Sequence, residues 1–191
     1  MRKDAMHNKI NKIELTFIAI VAMMMGIIWC FYTVLYDVIA PALKIFACDG
    51  LLTGIWLMGG LFFPYVIRKP FSAILGESIA GITEGIISEW GIMGILYGAS
   101  QGIIVELLFL VTRYRNFSLT IMIIAGAISG FFSCLMSIWL YQFYHFGFTY
   151  CLIELFTSSI SGILAGIFSF YLANRLTQTG VLNQFNIVKN K

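Results

Sequence analysis

Six long apolar runs restrict this chain more than any other feature. They are Leu15–Tyr36, Leu51–Ile67, Phe71–Ile87, Ile92–Thr112, Leu119–Tyr144 and Phe148–Leu172. A spanning helix needs about 20 mostly apolar residues, and a bilayer core admits only helices or closed barrels. These runs lack the alternation of barrel strands. The expected fold is therefore all-α, an integral membrane bundle of six transmembrane helices forming a single domain over residues 1–191. The second and third runs would merge but for Arg68-Lys69-Pro70, two basic residues and a helix-starting proline. Composition agrees: 60% of residues are hydrophobic, 11% are charged, and mean hydropathy is +0.90. A soluble domain holds about 25% charged residues, so a soluble enzyme, a disordered chain and a nucleic-acid binder are all excluded.

The few charges give an orientation. Arg2, Lys3, Lys9 and Lys12 precede the first run, Arg68 and Lys69 part the second from the third, and Arg113 and Arg115 part the fourth from the fifth. Arg175, Lys189 and Lys191 follow the sixth, and only Lys44 falls on the opposite side. The positive-inside rule makes the basic side cytoplasmic. Both termini are then inside, with a cytoplasmic tail at 1–14 and another at 175–191. The first run is near 22 residues and lacks a small-residue cleavage site, so it reads as a retained helix rather than a signal peptide. Residues 37–50 form the longest loop, on the outer side, with Pro41 and two aspartates. It is a connector by default and a lid by alternative. Cys30, Cys48, Cys134 and Cys151 form no C-x-x-C pair and read as small hydrophobes.

Glycines recur at a spacing of four: Gly81/Gly85, Gly94/Gly98/Gly102, Gly126/Gly130 and Gly162/Gly166. That spacing lets helix backbones approach closely inside the bundle. Ala22-x-x-x-Gly26, beside Ala19 and the bulky Met23–Met25, is a candidate strip for a partner helix.

Glu77, Glu84, Glu106 and Glu154 lie within the runs. A carboxylate near the bilayer centre costs about 2.5–3.5 kcal/mol, and no lysine or arginine within the runs can pair with them. They must be neutral, line a wet cavity, or meet a positive or proton-donating ligand. In the outer half, Glu84 and Glu154 are joined by Trp56, Trp90, Tyr97 and, slightly deeper, Gln101. Aromatic faces, an amide and carboxylates suit a flat nitrogen heterocycle. Interfacial belts also collect Trp and Tyr, which is the plainer account of Trp90, Tyr144 and Tyr150. Glu77 and Glu106 lie deeper and suit packing hydrogen bonds or coupling, with Glu77 the nearer to a pocket. The sequence contains no phosphate-binding loop, no H-E-x-x-H and only two histidines. Catalysis, metal and cofactor are accordingly not expected, and an energy source is missing.

Gly54-Ile55-Trp56, Ile67-Arg68-Lys69-Pro70, Glu77, Glu84, Gln101-Gly102, Glu106 and Thr112-Arg113-Tyr114 together resemble the YkoE family over roughly residues 50–175. Those are substrate-binding S-components of energy-coupling factor (ECF) vitamin transporters. The resemblance implies a non-enzymatic subunit that captures thiamine or its hydroxymethylpyrimidine precursor from outside. It also implies partners, namely a transmembrane coupling protein and two cytoplasmic ATPases. Glu84 would be the polar anchor, Trp56 and Tyr97 the stacking walls, and Gln101, Glu154, Glu77 and Trp90 further contacts. Ala19, Ala22 and Gly26 would dock the coupling protein, although the family's strip is all alanine and the register here differs. The alternative is a self-sufficient proton- or cation-coupled transporter with Glu77 and Glu84 as its relay.

Overall fold

A computed structural model describes residues 9–189; Arg2, Lys3 and Lys191 lie outside them. The described residues contain no strand. Among the described residues seven α-helices follow one another: α1 (Lys12–Lys44), α2 (Met58–Ile67), α3 (Ser72–Ile87), α4 (Ile92–Val111), α5 (Leu119–Leu140), α6 (Phe148–Gln178) and the short α7 (Asn186–Lys189). A 3-10 segment, Asp49–Leu57, leads into α2, and a 3-10 turn, Phe143–Phe146, joins α5 to α6. Among the described residues five helical segments are long and apolar enough to cross a membrane: α1, Asp49–Ile67, α4, α5 and α6. With 16 residues, α3 rises about 24 Å, less than the ~30 Å of a hydrocarbon core.

Two groups of contacts define one end of the bundle. Lys69 Nζ reaches Glu14 Oε2 at 2.8 Å and the Lys9 carbonyl at 3.0 Å, tying the start of α1 to the α2–α3 break. Asn186 Nδ2 donates to the Ile67 carbonyl at 2.9 Å, and the Phe17 and Phe185 rings meet at 4.4 Å, bringing α7 to the same place. Leu182, Phe185 and Ile187 are buried there, so this C-terminal segment packs into the core. The α4–α5 break joins them through Tyr114, as described below. Lys9, Lys12, Arg68, Lys69, Arg113 and Arg115 thus share this terminal end, and Lys44 stands at the far end.

Local chemistry explains the helix boundaries. Asn11 and Glu14 form a reciprocal capping box that starts α1, and Ser118 accepts from the Ile121 N–H to start α5. Arg68 and Phe71 both take left-handed backbone at φ 55° and 72°, which breaks the helix where the basic triplet foretold it. The helix α1 overruns its expected end. Residues 37–44, read as loop, are its last turns, and Pro41 lies inside it. Only 45–48 remain as connector before the 3-10 segment.

Glycine-on-glycine contact holds the helix pairs, as the spacing of four implies. A Cβ at Gly126 would strike the Gly162 carbonyl, and the reverse also holds. A Cβ at Gly81 would come within 2.6 Å of the Gly94 carbonyl. Consequently α5 lies closely on α6 and α3 on α4, whereas α4 and α5 meet sparsely.

One expectation is overturned. Ala22 and Gly26 do not form a free strip: Ala22 is wholly buried, and a Cβ at Gly26 would come within 2.5 Å of the Ala80 carbonyl and 2.6 Å of Thr83. The small residues on α1 serve close approach to α3 of the same chain, and Ala19 beside them is half-buried. The surface that α1 leaves exposed is bulky, with Ile20, Met24, Ile28 and Phe31.

Candidate functional site

A cavity of about 490 Å³ opens at the far end, between the sparsely joined α4 and α5, the last turns of α1, the 3-10 segment and α6. Its size is that of a small-molecule site. The 3-10 segment forms one wall. Nine residues of 3-10 helix are unusual, since runs beyond three or four are uncommon. They survive at membrane depth because neighbours satisfy the backbone. The Gly50 N–H donates to Glu154 Oε2 at 3.1 Å and the Gly54 N–H to Ser161 Oγ at 2.8 Å, while Ser161 donates in turn to the Leu51 carbonyl at 2.6 Å. Gly50 and Gly54 lie so close to α6 that a Cβ would strike Ser158 and Ser161 respectively. The span expected as ordinary helix is thus half irregular, and this irregularity carries Trp56 to the cavity.

Glu84 lines the cavity from α3. Its Oε1 accepts from the Trp56 indole N–H at 2.8 Å and from the Thr33 hydroxyl at 2.9 Å. Trp56 belongs to an aromatic group at the mouth. Its ring is 5.2 Å from Tyr36 and 6.2 Å from Trp90, both edge-on. Across the cavity, Tyr97 shares a hydrogen bond with Ser137 at 2.7 Å, and Gln101 Nε2 donates to Ser133 at 2.8 Å. With Ser100 Oγ, which donates to Met136 Sδ at 3.2 Å, they link α4 to α5. Glu154, from α6, completes the wall.

Six of the seven residues expected at the site therefore gather on one cavity: Glu84, Trp56, Tyr97, Gln101, Glu154 and Trp90. Glu77 does not. It is wholly buried, and its Oε2 accepts from the Gly60 N–H at the junction of the 3-10 segment with α2, packed against Gly59. Among the described residues no hydrogen bond links it to Glu84. Glu106 also turns to the backbone. Its Oε2 accepts from the Ala73 N–H at 3.1 Å, and its Oε1 from the Phe71 N–H at 2.7 Å and the Tyr114 hydroxyl at 2.6 Å. This caps the positive N-terminus of α3. Burial and the neighbouring Glu106 push the Tyr114 hydroxyl up, so it remains a neutral donor.

Sequence reasoning passed over Thr33, Tyr36, Asp49 and Glu89. Trp29, Thr33 and Tyr36 fall at i, i+4 and i+7 on α1, a polar-aromatic stripe that a helical reading of one face could have isolated. Asp37 and Glu89 form a carboxyl pair at the exposed mouth. The hydrogen bond and the charge of Asp37 push the Glu89 carboxyl above its ordinary range. Lys44 is the cation on the rim among the described lining residues.

Comparison with known proteins fits this architecture. A solved chain described as an S-component of an ECF transporter superposes with a TM-score of 0.89 at 28% identity, covering 95% of this chain and 93% of that one. The model of the ABC-type cobalt transport system permease component matches residues 13–132. The protein of Bacillus subtilis (strain 168) described as the HMP/thiamine permease YkoE is 30% identical over 172 residues, 89% of this chain and 86% of that protein. The chain belongs to the YkoE-type S-components of ECF transporters. It is a multi-pass plasma-membrane transport subunit and not an enzyme. Cobalt selection calls for several converging nitrogen, sulfur or carboxylate donors. Among the described residues no three His, Cys, Asp or Glu side chains converge in that way.

Proposed function

We propose that this S-component captures thiamine or its hydroxymethylpyrimidine precursor from outside the cell and delivers it by docking to a transmembrane coupling protein driven by two cytoplasmic ATPases. In this reading α1 to α6 all cross the bilayer and both termini are cytoplasmic, with α3 completing its passage through the flanking break residues. The gathering of basic residues at the terminal end supports that orientation, in which the cavity opens outward. The observation that carries the reading is Glu84, held by Trp56 and Thr33 inside an aromatic-walled cavity. Its carboxylate is suited to the amine and ring nitrogen of an aminopyrimidine, and charge-assisted bonds of this type are the strong ones. Trp56 and Tyr97 are placed to stack on the ring, and Gln101, Glu154 and Trp90 to fix its orientation. The relative's description as an HMP/thiamine permease favours the same ligand class. The competing idea of a proton relay through Glu77 and Glu84 has less support, because Glu77 Oε2 accepts from Gly60 and the residue lines no part of the cavity.

Tryptophan fluorescence tests the ligand class. Purified protein titrated with thiamine, hydroxymethylpyrimidine, riboflavin and biotin should be quenched at sub-micromolar concentration by a pyrimidine alone, and Glu84→Gln should weaken that response. Binding to none of the four would overturn the reading. Copurification tests the partners: ATPase subunits should accompany the chain, and transport by the chain alone in liposomes would favour the self-sufficient alternative.

A further inference from the structure

The cavity holds a second carboxyl feature that the Glu84 anchor leaves unexplained. Asp49, on the 3-10 segment, and Glu154, on α6, both line it and are 4% and 3% exposed. Each has one oxygen engaged: the Tyr36 hydroxyl donates to Asp49 Oδ2 at 3.2 Å, and the Gly50 N–H to Glu154 Oε2 at 3.1 Å. The remaining oxygens, Asp49 Oδ1 and Glu154 Oε1, are buried without a donor, and the two side chains lie within hydrogen-bonding reach of each other. Two carboxylates in contact away from water cannot both stay ionised. One proton held between them answers both orphaned oxygens and leaves a single negative charge.

We propose that the Asp49–Glu154 pair is a cation subsite of the cavity, holding one proton when empty and releasing it when the positive group of an organic cation takes its place. This rests on the reading of the cavity as a vitamin site and adds the charge class of the ligand. Exchange of one proton for one positive group keeps the buried net charge constant, which a low-dielectric site favours. The surroundings suit an organic cation rather than a bare ion. Tyr36, which donates to Asp49, stands 5.2 Å from Trp56 and 6.3 Å from Trp90, and aromatic faces attract such cations. The other titratable groups facing the pair are Tyr36 and Lys44 on α1, Cys134 on α5, and Tyr150 on α6. Lys44 is exposed at the rim, and a cation arriving there competes with it. Neutral hydroxymethylpyrimidine brings no charge to exchange.

Calorimetric titration of the full chain with thiamine near neutral pH, in two buffers of different ionisation enthalpy, counts the protons released. About one proton per thiamine is expected, and affinity should rise with pH by up to tenfold per unit while the pair holds its proton. Glu154→Gln and, separately, Asp49→Asn should abolish the release, whereas Glu84→Gln should keep it while weakening binding. Thiamine binding without release, or release that survives both pair variants, overturns the exchange and leaves the vitamin reading standing. If thiamine does not bind, infrared spectroscopy decides the pair, and the vitamin reading falls only when hydroxymethylpyrimidine, riboflavin and biotin fail to bind as well. A carboxylic-acid C=O band in the empty protein that is absent from Glu154→Gln and quenched by tetramethylammonium sustains it. The lack of that band, or its indifference to tetramethylammonium, overturns it.

Discussion

The two ends of the bundle bury their carboxylates for different purposes. At the terminal end Glu106 accepts three bonds, two of them from backbone N–H groups, and Glu14 joins its helix cap and Lys69 at 2.8 Å. Both are closed systems with no capacity left for a ligand. At the far end Glu84 is held by two side-chain donors, Thr33 and Trp56, on the wall of an open cavity, and Glu154 keeps one oxygen without a donor. Side-chain donors can turn and re-pair, whereas backbone donors in a helix start cannot. Burial alone does not mark a binding residue in this fold; the decisive property is whether the acceptor's bonds are already committed to the main chain.

Substitutions at the two ends should therefore separate stability from affinity. The largest effect is expected for Glu106→Ala, which strands the Phe71 and Ala73 N–H groups and the Tyr114 hydroxyl. At about 1–3 kcal/mol for each stranded donor, the protein should lose several kcal/mol of stability. Thermal unfolding in detergent should show it, and the surviving folded fraction should bind with unchanged affinity. Glu84→Gln should do the reverse, with binding weakened about 10- to 100-fold for the loss of a charge-assisted bond and a melting temperature near that of the parent. A Glu84→Gln protein that melts early but binds normally would erase the contrast. Trp56→Phe keeps an aromatic wall and removes the indole donor to Glu84, so a smaller loss of about fivefold is expected in the same titration. The smallest effect belongs to the mouth. As pH falls through the raised Glu89 value, Glu89 takes up a proton and the mouth loses negative charge. Capture of a cation should then slow a few-fold while release is unaltered, as stopped-flow fluorescence would reveal. Glu89→Gln should remove that dependence, and high salt should mask it.

Much of this was legible in the order of residues, because a membrane makes each charge costly enough to interpret. The apolar runs located the helices, although α1 overran its run and the second run was half 3-10; the basic triplet at Arg68 marked a true break, and four-spaced glycines announced close backbone contact inside the bundle without naming the partners. Six of the residues singled out by depth and chemistry line one cavity. The errors share a physical cause: a pattern within one helix cannot say which neighbour it faces. Ala22 and Gly26 have the small-residue signature of docking, but that signature is the same whether the partner is another protein or α3. Glu77 has the spacing to share a face with Glu84, yet its acceptor is used by Gly60, a donor freed only by the 3-10 to α junction. That junction had no sign in hydropathy, since Asp49–Leu57 is about as apolar as α1 and α3.

The 3-10 segment also alters the reach of the chain across the bilayer. A 3-10 helix rises about 2.0 Å per residue against 1.5 Å for an α-helix, so the 19 residues of Asp49–Ile67 extend about 33 Å instead of about 28 Å. The longer value clears a hydrocarbon thickness of about 30 Å and the shorter one falls just below it. A single stretched piece of backbone thus sets both the fit of this span to membrane thickness and the position of Trp56 in the cavity. Any relaxation of it toward α geometry would shorten the span and withdraw the indole from Glu84 in one movement.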